Sequence, residues 1–85
     1  MKNKYILIEV IEREISVPEF FPTLEAAQSD MMNKFKEAMG LDDEDLAEAK
    51  PIDGGFQLEE DCCFGKKKAY GERHGQNFDW EIFEI

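Results

Sequence analysis

Along this chain the apolar residues change their spacing twice, and each change marks a different kind of element. From Tyr5 they alternate: Ile6, Ile8 and Val10 point one way, while Tyr5, Leu7 and Ile11 point the other. That predicts a first strand over Tyr5–Ile15, interior at its beginning because both faces are apolar and wetter toward Glu9, Glu12, Arg13 and Glu14. Val17–Pro22, with prolines at 18 and 22, reads as a loop. From Leu24 the spacing becomes helical. Leu24, Gln28, Met31, Met32, Phe35 and Met39 form a stripe beside Ala27 and Ala38, and Gln28 is its polar member. Thr23 is placed to cap the start, Glu25 favours the positive end of the helix dipole, and Gly40 stands where a left-handed residue closes a helix. A helix over Leu24–Met39 follows.

A shorter helix is expected from an Asp42 cap to about Lys50, stopped by Pro51, with Leu41, Leu46 and Ala49 as its modest apolar side. Asp53-Gly54-Gly55 is a turn. Beyond it the alternation returns. Phe56, Leu58, Cys62 and Phe64 share a face interrupted by Glu60, and Gly65-Lys66 turns into Lys67–Arg73. Arg73–Asn77 then reverses the chain into Phe78–Ile85, where Phe78, Trp80 and Ile82 alternate with Asp79 and Glu81 while Phe83 and Ile85 take the other face. The order β-α-(α)-β-β-β implies an α+β fold, an antiparallel-rich sheet with the long amphipathic helix on one face and a short acidic helix beside it. In that arrangement Leu24, Met31, Phe35 and Met39 pack against Ile6, Ile8, Leu58, Phe78, Trp80 and Ile82.

Composition narrows the class. Eighty-five residues hold one domain, and 42% apolar with 12% aromatic content supports a packed interior. The longest clean apolar run, Tyr5–Ile8, is too short for a membrane span or a secretory leader. Two adjacent cysteines do not make a disulfide scaffold, so a cytoplasmic setting is the expectation.

Charge changes the picture most. The formal net charge is −10, and the 25 residues from Glu37 to Asp61 carry ten carboxylates and one lysine, a balance of −9. A block of one sign repels itself and attracts cations or a basic surface. Asp42, Asp43, Glu44, Asp45 and Glu48, continued by Glu59, Glu60 and Asp61, form the candidate contact patch. The bland reading is a solvated face that keeps a small protein soluble. Calcium is disfavoured: a loop counted from Asp43 meets Ala47 and Glu48 where a ligand and a glycine are needed, and one counted from Asp42 fails at Leu46.

The remaining chemistry-bearing residues read as structural. Cys62 and Cys63 diverge if they lie on a strand, and two cysteines with one histidine fall short of a structural zinc set. His74 sits in a turn with no nucleophile at motif spacing, and Ser16 and Ser29 lack any nucleophile context. Lys66-Lys67-Lys68 with Tyr70 and Arg73 is the basic patch, but the surrounding field repels phosphates. It serves better to neutralise neighbouring acids, to blunt an edge strand or to meet the acids of another copy.

The sequence therefore points to a non-enzymatic protein-interaction module, with no cofactor, metal, membrane or direct nucleic-acid partner. A basic protein surface, including that of a nucleic-acid-binding protein, is the partner type, and monomer and homodimer both stay open. In size and charge alone the chain resembles the small acidic DNA-mimic inhibitors of bacteriophages and other mobile elements, some anti-CRISPR proteins among them. That resemblance implies the alternative function, inhibition of a nucleic-acid-binding protein by carboxylates spaced like phosphates.

Overall fold

A computed structural model describes residues 3–52, 54–59 and 62–85, with Glu59 placed in its strand by its backbone. The chain is α+β. Its strands are β1 (Tyr5–Ile11), β2 (Glu14–Ile15), β3 (Glu19–Phe21), β4 (Lys50–Ile52), β5 (Gly55–Glu59), β6 (Cys62–Phe64), β7 (Lys68–Arg73) and β8 (Gln76–Glu84). The helices α1 (Leu24–Met39) and α2 (Asp43–Ala47) lie between β3 and β4. All pairings are antiparallel, in the order β2-β1-β8-β7-β6-β5-β4, with β3 also on β1. The helical segment thus carries the chain from one sheet edge to the other.

The long helix forms as its spacing predicts. Thr23 Oγ1 accepts the Ala26 N–H at 3.1 Å, and Gly40, at φ 66°, closes the C-terminus with amide bonds back to Glu37 and Lys36. Gln28, the polar member of the stripe, donates its side-chain N–H to the Lys66 carbonyl at 2.6 Å. It pins the helix to the β6–β7 turn. Ala27, Met31 and Phe35 are fully buried. Phe35 is the hub, its ring centroid 5.5 Å from Phe64, 5.7 Å from Trp80 and 6.0 Å from Phe56.

Two strand expectations need correction. The first strand does not run unbroken to Ile15. Glu12 and Arg13 take φ 50° and 69°, the left-handed pair of a type I′ turn, and β2 folds back so that Ile15 faces Val10. Neither residue is a usual turn former. The Glu12 amide donates to the Asn77 carbonyl at 3.0 Å and its carboxylate accepts the Asn77 N–H, so the neighbouring strand holds the turn. Within Val17–Pro22, Glu19–Phe21 is a short strand on β1. Its two prolines flank the pairing residues and remove no ladder bond. Likewise α2 ends at Ala47, and Lys50-Pro51-Ile52 forms β4 at the sheet edge, where a missing N–H is tolerated.

The core also uses the other face of β1. Register places Leu7 opposite Ile82 and Glu9 opposite Trp80, so Tyr5, Leu7, Glu9 and Ile11 share the helix-covered face with Phe78, Trp80 and Ile82. Leu7 is 2% exposed and Trp80 is fully buried. Ile6 and Ile8, expected beneath the helix, lie on the opposite face instead. Alternation identifies which residues travel together, but the partner strand decides which set is covered. Glu9 is accommodated on the covered side because its carboxylate accepts the Trp80 indole N–H at 2.7 Å. Gly71 lets Met39 descend onto the sheet: a Cβ there would stand 2.6 Å from the Met39 sulfur.

Candidate functional site

The acidic end is built on α2, a five-residue helix with no buried side chain. Asp42 caps it. The Asp42 carboxylate accepts the Asp45 N–H at 2.9 Å, and the Asp45 carboxylate accepts the Asp42 N–H at 3.1 Å, closing a reciprocal capping box. Hydrogen bonding from the Asp45 amide, joined by other local donors, holds the Asp42 carboxyl below its ordinary value of 3.8. Two members of the predicted patch therefore also fasten the helix. Asp43, its carboxylate almost fully exposed, pairs loosely with Lys36 at 3.4 Å, and Glu44 and Glu48 are exposed. Glu60 and Asp61 lie outside the described residues, as does the side chain of Glu59.

Folding brings a residue to this end that the linear stretch does not contain. A depression of about 310 Å³ between α2 and the sheet is lined by Met39, Leu41, Asp45, Glu48, Glu72 and Arg73, with Leu58 and Cys62 at its floor. Arg73 adds a guanidinium from β7, whereas the register of β7 on β8 turns the Glu72 side chain to the opposite face with Lys68. Arg73 is held in place by α1: its Nη1 donates to the Ala38 carbonyl at 3.3 Å. Its guanidinium occupies the space a Cβ at Gly40 would need, 2.6 Å from the nearest nitrogen. It thereby places a cation at the negative end of the α1 dipole. The depression is thus two-signed: Asp45 and Glu48 can accept hydrogen bonds from an ammonium or guanidinium, while Arg73 can receive an acceptor beside it. Nothing in the sequence spacing joins Arg73 to Glu48. Only folding brings them to one depression.

The other candidates remain apart. Cys62 is buried beneath the helix and Cys63 is half-buried on the opposite face, and neither is joined in a disulfide. His74 is exposed in the β7–β8 turn with φ 53°. Lys66 and Lys67 are exposed in the turn before β7, and Lys68 opens that strand. Among the described residues no group of three or more His, Cys, Asp or Glu is arranged to hold a metal ion, and no helix is long and apolar enough to cross a membrane. No protein-family model matches the chain, and neither a curated protein nor a solved structure matches it.

Proposed function

We propose that this protein is a non-enzymatic, cytoplasmic binding module that engages a basic protein surface through its acidic end. The observation that carries the reading is the placement of Asp45 and Glu48 at one depression, with exposed Asp43 and Glu44 on the same short helix, in a chain of net charge −10. A lysine or arginine of the partner finds several acceptors there, and the long-range field steers the encounter. Mimicry of a nucleic-acid backbone is the lesser reading. It calls for carboxylates in a row, whereas successive residues of α2 turn by about 100° around the helix axis.

The test begins with affinity capture from the native host. Captured partners are then bound to a variant with Asp43, Glu44 and Glu48 all changed to lysine, which leaves the Asp42–Asp45 capping box intact. Association should slow by about tenfold or more at low salt, and its salt dependence should flatten. A partner that binds the variant at the original rate defeats the proposal.

A further inference from the structure

The sheet is covered on one side only. Its open face carries apolar rows set by the strand register: Phe20, Ile6 and Phe83 lie side by side across β3, β1 and β8, and Ile15 lies beside Val10. Ile8 sits between these rows. Phe20 is 54% exposed, Phe83 44% and Ile15 70%. A depression of about 370 Å³ bordered by Ile8, Val10 and Phe83 opens among them. Large apolar residues clustered this way on one surface mark a contact site rather than ordinary scatter.

Charge identifies what that site receives. Among the described residues, alternation and register set Lys4, Lys50 and Lys68 on this face against Glu72, Asp79 and Glu81. The face is balanced in a molecule whose overall charge is −10. It is therefore a side on which two identical, strongly anionic chains can meet with little local repulsion. Lys68 lies opposite Glu81 in the ladder, next to the apolar rows. A two-fold rotation can turn such a neighbouring cation and anion toward their opposites in another copy. The size also fits. The molecule measures 37 × 26 × 19 Å, and the face spanned by its two long dimensions can supply the roughly 800 Å² per partner of a standard interface.

We propose that a second copy of this chain covers the open face, forming a two-fold, sheet-on-sheet dimer with Ile6, Ile8, Phe20 and Phe83 at its centre and Lys68 against Asp79 or Glu81 of the second copy. The two sheets then pack about 10 Å apart. Dimerisation leaves α2 outward on both copies, so the dimer presents two acidic ends.

Sedimentation of the full chain over a concentration series, at low salt and at about 0.5 M salt, tests this. The wild type should dimerise, and more tightly at high salt, because screening relieves the repulsion between two anionic chains. Binding of a cationic partner at the acidic end has the opposite salt trend, so the two proposals fail separately. Phe83→Lys should weaken the dimer by about tenfold or more while the far-ultraviolet circular dichroism stays native. Lys68→Glu and Glu81→Lys chains, each impaired alone, should form a mixed dimer. A wild type still monomeric at about 1 mM and high salt overturns the proposal, as does a dimer that Phe83→Lys leaves intact. Shifts of the Ile8 and Phe83 amides toward a foreign protein without self-association would replace the second copy with that occupant.

Discussion

The two faces of the sheet carry similar residue types and have different fates. On the covered face, Leu7, Ile82 and Trp80 disappear beneath α1. On the open face, Ile6, Ile8 and Phe83 are equally apolar but stay accessible to varying degrees. The difference does not lie in hydrophobicity. It lies in a single aromatic network, Phe35 with Trp80, Phe64 and Phe56, that seats one helix on one side. Stability should reside on the first face and association on the second.

The sharpest way to break that comparison is paired truncation. Trp80→Ala and Leu7→Ala remove buried groups and should each cost about 2–5 kcal/mol, whereas Ile8→Ala and Phe83→Ala should cost roughly 1 kcal/mol or less when unfolding is followed in urea below the association range. Equal losses on both faces would mean that the open face also serves as core. Glycine replacement offers a medium-sized effect. A Cβ at Gly55 would stand 1.8 Å from the Phe64 carbonyl oxygen, a backbone atom fixed by the β5–β6 ladder. Gly55→Ala should therefore lose about 1–3 kcal/mol, and Gly71→Ala less, since the Met39 side chain it meets can swing aside.

The smallest effects come from titration. Asp42 has its pKa depressed in the folded chain, so its contribution is present above the ordinary 3.8 and is lost as pH falls through the lower folded value. Lys34 behaves in reverse. Burial pulls its ammonium down, but hydrogen bonds and charge from Asp30 and Glu19 outweigh that and raise it above 10.5. Its tie between α1 and Glu19 on β3, 2.8 Å long, holds below that value and is lost as pH rises through the raised one. Carboxyl and ammonium resonances followed by NMR should show the Asp42 midpoint below 3.8 and the Lys34 midpoint above 10.5.

What could be read in advance depended on how local the cause was. The whole of α1 was legible because Thr23, the apolar stripe and Gly40 each act within a turn of their own position. The closing strands were legible from Phe78, Trp80 and Ile82, whose alternation matches the covered face. The turn at Glu12-Arg13 was not, because Asn77, far along the chain, stabilises it. The choice of Leu7 over Ile6 and Ile8 was hidden for the same reason, being fixed by pairing with Ile82. At the candidate site, the exposed acids of α2 announced themselves by density. Arg73 joined them only through folding.

The chain's one tryptophan lies in the sealed layer, with its indole N–H held by Glu9. Its fluorescence is consequently a built-in gauge of whether α1 remains seated. Docking at either proposed contact surface should leave the emission wavelength nearly unchanged, whereas lifting the helix should shift it to the red.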